Sequence, residues 1–248
     1  MKDFRLAVVS DIHGNLPALE AVVADFQRRA VDAVVNLGDS LSGPLYPRET
    51  AQYLMQQDWV QLAGNHERQI LDVRAKERGA SDEYARSCLT PAQLDWIASL
   101  RPSRQYAPDV LLCHGTPSSD LIYLIEMVES GRTRIADPAV LQERLGPTDA
   151  ALIVCGHSHT PRSVRSMRGQ LVVNPGSVGL PGFDADYPTP HVVENGSPDA
   201  RYAIVERRND AWTSSLLAVS YDFMPVAELA RERGREEWYR LLMTGYAN

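Results

Sequence analysis

Five short apolar runs in this chain each end in a cluster of Asp, Asn or His. The runs are 6–9, 33–37, 59–63, 110–113 and 151–155. The clusters that follow are Asp11-Ile12-His13-Gly14-Asn15, Gly38-Asp39, Gly64-Asn65-His66-Glu67, His114-Gly115 and Gly156-His157-Ser158-His159-Thr160. Short β-branched runs bounded by Gly and polar residues read as buried strands. Five of the six histidines fall inside these clusters. In α/β sheets, ligands bind outside the carboxyl ends of strands. Imidazole, carboxylate and amide oxygen together form the donor set of a divalent transition metal. The pattern predicts a metal site assembled from five strand ends.

The segments between the runs alternate in character. Leu19, Val22, Val23 and Phe26 make one helical face over 16–30, with Asn15 as its cap and Pro17 in its first turn. Helices are expected over 48–57 and 66–78. Thr90-Pro91 and Asp137-Pro138 each start another, the second running through Leu145. Strands alternating with helices give parallel βαβ units. Past residue 170, strands are expected over 170–174, 201–206 and 212–219, then terminal helices near 225–233 and 235–244. Between 183 and 198 prolines and an Asn-Gly pair predict a long loop, dispensable for folding but not for full activity or assembly, in which His191 is a solvated side chain.

In order, the clusters read D-x-H, G-D, G-N-H-E, H-G and G-H-x-H, and in this they resemble the calcineurin-like metallophosphoesterases. Asn174-Pro175-Gly176-Ser177 also looks like the turn that follows the last ligands in the family's small bacterial branch. The resemblance implies a four-layer α/β/β/α sandwich, with two mixed sheets flanked by helices. We expect a single domain over 1–248, in which helical inserts at about 67–105 and 116–150 form a partial cap.

The resemblance also implies a ligand set. One metal takes Asp11, His13, Asp39 and His159; the second takes Asp39, Asn65, His114 and His157, with Asp39 bridging. Donors of N and O type without thiolate point to manganese first, with iron, zinc, nickel or cobalt as alternatives. Two divalent ions, two carboxylates and a bridging hydroxide leave a core of net charge near +1, suited to an anionic phosphoryl oxygen. The implied activity is in-line attack of that hydroxide on small phosphate esters, diesters preferred. Asp39 and His66 are the catalytic candidates, His66 facing the leaving group. Small phosphomonoesters are the alternative substrates, and a non-catalytic scaffold of the same fold is the other class of reading.

The second cluster lacks the Arg and Asp that the family's protein phosphatases carry there, which argues against phosphoprotein substrates. Asn15, Arg68 and Arg162 are the candidate substrate-binding residues. Glu67 is expected to orient the backbone, and Ser177 to buttress the ligand loops. A net charge of −7 argues against a nucleic-acid surface or anionic membrane as partner. Three cysteines form no disulfide framework, and the apolar run after Arg5 is too short for a secretory segment, so a cytoplasmic setting is expected. Homo-oligomerisation is left open.

Overall fold

A computed structural model describes residues 3–74 and 79–247. The first half runs β1 (Phe4–Val9), α1 (Leu16–Gln27), β2 (Ala33–Asn36), α2 (Pro47–Leu54), β3 (Val60–Gln61), α3 (Asn65–Leu71), α4 (Ala80–Cys88), α5 (Pro91–Ser99), β4 (Ser103–Ala107) and β5 (Val110–Cys113). There follow β6 (Glu126–Glu129), β7 (Arg132–Ile135), α6 (Pro138–Leu145), β8 (Leu152–Val154), β9 (Arg162–Arg165) and β10 (Leu171–Asn174). The remainder is β11 (Gly182–Ala185), β12 (His191–Glu194), β13 (Ala200–Arg208), β14 (Ala211–Val219), α7 (Met224–Glu232) and α8 (Glu236–Thr244).

Two five-stranded mixed sheets carry the fold, ordered β14-β13-β1-β2-β3 and β4-β5-β8-β10-β9. Alternation along each strand explains how they stack, because successive side chains point to opposite faces. Leu6 and Val8 of β1 join Val110 and Leu112 of β5, and Leu152 and Val154 of β8, in one core between the sheets. Ala7 and Val9 instead face α1, where Leu19, Val22 and Phe26 are buried. On the other outer face, Cys113 and Ile153 pack with Leu141 and Leu145 of α6. The order is therefore helix, sheet, sheet, helix, and both faces of each central strand are apolar. The helix starts follow local rules. Asn15 Oδ1 accepts from Ala18 N, and Thr90 with Gln93 forms a reciprocal cap at Pro91. Asp137 precedes Pro138 as expected, but its carboxylate pairs with Arg134 instead of capping.

A third mixed sheet, β11-β12-β7-β6, adds to the two expected. It corrects two expectations. The 116–150 insert is not wholly helical: β6 and β7 form a hairpin whose turn residues, Ser130 and Gly131, both have positive φ. That is the turn geometry matching the natural strand twist. The 183–198 segment is not a long loop either. β11 and β12 pair antiparallel through it, with Pro188 and Pro190 in their connection and Pro198 beyond β12. The helix expected over 66–78 ends at Leu71, and 75–78 lie outside the described residues. Among the described residues, no helix is long and apolar enough to cross a membrane.

Candidate metal centre

All five clusters meet at one end of the two large sheets. Asp11 and His13 follow β1, Asp39 follows β2, Asn65 opens α3 after β3, His114 follows β5, and His157 and His159 follow β8. Five of these residues hold left-handed backbone: Asp11 (φ 56°), His13 (51°), Asp39 (53°), His157 (68°) and His159 (53°). Non-glycine residues adopt such angles at about 1–3 kcal/mol each, and they concentrate at functional sites. β1, β2 and β8 thus end in sharp turns at their donor residues.

Two donor groups result: Asp11 with His13 and His159, and Asp39 with His114 and His157, each with its ligand atoms within 4.8 Å of one another. His13 Nδ1 donates to Ser42 O at 2.8 Å and His159 Nδ1 to Leu180 O at 2.7 Å, which leaves both Nε2 atoms as lone pairs. Those lone pairs face each other 3.0 Å apart. Asp11 Oδ1 lies 3.4 Å from His159 Nε2, fully buried, with no hydrogen-bond partner among the described residues. In the second group His114 Nδ1 donates to Leu37 O, and its Nε2 faces Asp39 Oδ2 at 3.1 Å and Asn65 Oδ1 at 3.2 Å. In the first group converging acceptors with no donor between them call for a cation, and in the second imidazole, carboxylate and amide oxygen make the donor set of one, so the residues present fit a metal in each group.

The electrostatics agree. Burial, reinforced by neighbouring His159, pushes His13 down to about 3. Burial and His114 push His157 down to about 4. Both rings are held neutral, with lone pairs available. For Asp39, burial is outweighed by the imidazoles of His114 and His66, and the carboxyl falls well below its usual range. In the metal-free protein the same carboxylate outweighs burial at His114 and lifts it to about 10.

The framework around the donors is dense. Glu67, fully buried, accepts backbone N–H bonds from Asp39, Ser40 and Gly64 at 2.7–2.8 Å, tying the second and third clusters together. A side chain at Gly64 would run into the Asp39 carboxylate, so only glycine fits there. Ser177 Oγ donates to Asp11 O, and Asn174 Nδ2 donates to Gly156 O and Ser158 Oγ, so their turn braces the first and fifth clusters.

His66 stands beside this centre. Its backbone N–H donates to Asp39 Oδ1 at 2.9 Å, and its Nδ1 lies 2.7 Å from Asp82 Oδ1 on α4. Burial at His66 is outweighed by Asp39 and Asp82, which raise it to about 9. The substrate-binding candidates do not gather here. Arg68 is bidentate to Asp120, Arg162 is paired with Glu126 of β6, and neither lines the cleft over the metal groups. Asn15 is fully buried, capping α1 and donating to Gly179 O and Tyr221 Oη.

A cleft of about 530 Å³ opens over the donors. Its walls come less from the helical inserts than from β11 and α8, through Phe183, Tyr187, Trp238 and Leu241, with Tyr123 and Ser81 from the inserts. Trp238 of α8 packs against the second cluster's loop at Gly43 and stands edge-on to His13, ring centroids 6.1 Å apart. Arg235, the one arginine or lysine lining the cleft among the described residues, binds Glu237 Oε1 and Ser81 Oγ. Sequence reading missed these residues, since β11 read as loop and α8 lies far along the chain from every cluster.

Relatives share this architecture. Residues 4–195 match the profile of the calcineurin-like phosphoesterase superfamily domain. An uncharacterized protein of Methanocaldococcus jannaschii is 24% identical over 94% of both chains. The crystal structure of a metallophosphoesterase from Sphaerobacter thermophilus superposes with a TM-score of 0.78, at 24% identity, over 99% of this chain and all of that one. A hypothetical protein of Pyrococcus horikoshii superposes at 0.74, with 16% identity over 98% and 99% of the two chains. With five donor clusters at strand ends and a family match over most of its length, the chain belongs to the calcineurin-like phosphoesterase superfamily.

Proposed function

We propose that the chain hydrolyses small phosphate esters at a two-metal centre, with phosphodiesters preferred over monoesters. The observation that carries this reading is the pair of Asp/His donor groups, in the first of which buried acceptors converge without a proton donor between them. Two divalent ions there, manganese being our first choice, would supply Lewis-acid polarisation of a phosphoryl oxygen and an activated nucleophile. Asp11, His13 and His159 would hold one ion and Asp39, His114 and His157 the other, with Asp39 Oδ1 fixed by the His66 N–H and its Oδ2 facing His114. His66, its Nδ1 held by Asp82, would present Nε2 to the leaving oxygen and deliver a proton there.

The cleft supports a small substrate. A volume of about 530 Å³ suits a molecule of nucleotide size better than a folded phosphoprotein. Its lining also weighs on charge. Beyond the metal ligands the cleft presents the carboxylates of Asp184, Asp186 and Glu237 and a single guanidinium, Arg235, already paired with Glu237. A rim of net negative charge opposes a dianionic monoester more than a singly charged diester.

The test compares kcat/KM for bis-p-nitrophenyl phosphate and p-nitrophenyl phosphate at saturating Mn²⁺. We expect the diester to be preferred. A monoester preferred by more than tenfold would establish the alternative, a small-molecule phosphomonoesterase. Efficient dephosphorylation of a phosphopeptide would overturn the argument from the cleft.

A further inference from the structure

His191 lies on β12, buried behind the metal ligands and not in contact with the cleft. Its Nδ1 is 2.8 Å from Thr189 O, a carbonyl that can only accept, so Nδ1 carries the proton and Nε2 is a lone pair. Tyr123 Oη lies 2.9 Å from that Nε2 and donates to it. The Tyr123 ring packs on His157 with centroids 4.9 Å apart. On its other side, His191 is edge-on to Phe183 at 6.5 Å, and Phe183 is edge-on to His159 at 4.6 Å. One histidine thus stands behind two aromatic rings. Each ring rests against one imidazole of the fifth cluster, and those two imidazoles belong to different metal groups.

We propose that His191 is a positioning residue for the metal centre, acting on His157 through the hydroxyl and ring of Tyr123. The inference rests on the two-metal reading above. The imidazoles of His13, His114 and His159 are each locked by a short Nδ1–H bond to a carbonyl. His157 bonds to the Leu121 backbone and is held between two rings, His114 with centroids 5.1 Å apart and Tyr123, which stands on the same loop as Leu121. That loop is anchored at this point by a buried hydrogen bond to β12. Aromatic packing fixes a ring plane, and the Tyr123–His191 bond fixes the aromatic ring itself. Partners behind metal-ligating histidines typically tune affinity 10–100-fold.

The test measures Mn²⁺ and Zn²⁺ binding by calorimetry for the full chain and for three single variants and one double variant. H191F keeps the ring and removes the acceptor; Y123F keeps the ring and removes the donor. Each should weaken the Asp39–His114–His157 site by about tenfold or more, while the Asp11–His13–His159 site changes little. The double variant should be no weaker than either single, because both remove the same bond. H191Q, which restores an acceptor for the hydroxyl, should recover much of the affinity. Should H191F fold poorly, Y123F carries the same prediction without touching β12. Parental affinity at both sites in Y123F, or additive losses in the double variant, would overturn the proposal. A parent chain that binds fewer than two ions would defeat the two-metal reading itself, and this inference with it.

Discussion

His66 Nδ1 sits 2.7 Å from Asp82 Oδ1, joining a residue beside the metal donors to the first turn of α4. The adjacent Ser81 receives the Arg235 guanidinium, so the helix that orients His66 is also tied to the C-terminal helices. A histidine next to a ligand but outside both donor groups is placed to act on substrate. His66→Gln should retain both metals and lose roughly 10²-fold or more in kcat. Asp82→Asn should lose less, since it disturbs only the ring's orientation and tautomer. Both losses should shrink for p-nitrophenyl esters relative to alkyl esters, because a good leaving group needs less protonation. Equal losses for the two ester types would count against proton delivery by His66.

Asp39 is the residue on which two clusters depend. Its carboxylate meets His114 Nε2 and the His66 N–H, and its own N–H is held by Glu67. Asp39→Asn preserves shape but removes the charge that offsets a cation. Metal analysis of the purified variant should show loss of bound metal and of nearly all hydrolysis, with the circular dichroism of the parent. Two tightly bound ions in that variant would contradict the assignment.

Glu126, nearly fully buried beneath Arg162, gives a pH signature in stability. Burial pushes its carboxyl up to about 7 against the pull of Ser158 and Arg162, from an ordinary value of 4.5. A folded-state value above the unfolded one means that the folded chain binds the extra proton. The associated stability is present in full below about pH 4.5 and is lost as pH rises through 7; it amounts to roughly 3 kcal/mol. Glu126→Gln should remove that slope. Urea unfolding at pH 5, 6, 7 and 8, with metal held in the same excess, should show the parent losing stability relative to the variant across that range. Parallel curves would refute the argument.

The parts of the fold legible in sequence were those whose signal is local. Four of the five runs are strands with apolar residues on both faces, the third giving only the half-buried Val60–Gln61, and Asn15, Thr90 and Pro91 announce helix starts by caps that act within one turn. The donors were legible because each ends such a run. β6, β7, β11 and β12 were not, since they are four-residue strands with charged or half-buried faces that acquire a partner only through the third sheet. The same holds for Asp82, Tyr123 and Trp238, whose contacts with His66, His157 and His13 span sequence separations that no periodicity records. Arg68 and Arg162 show the limit of adjacency in sequence. Adjacency to a cluster in sequence placed them near the site, but Asp120 and Glu126 draw them elsewhere.

The β11–β12 hairpin revises one expectation into a sharper one. As a loop, 183–198 would be removable with little effect on folding. As built, it buries His191 and Val193, carries Phe183 against His159, and forms one wall of the cleft. Replacing 183–194 with a short Gly-Ser linker therefore exposes Leu180 and Leu241 as well as deleting buried side chains, at a cost of about 3 kcal/mol or more. Thermal unfolding should show a clearly lowered Tm, and calorimetry should show weakened metal binding along with reduced kcat/KM. A deletion variant with the parent's Tm and metal affinity would mean that the hairpin supports neither the fold nor the centre.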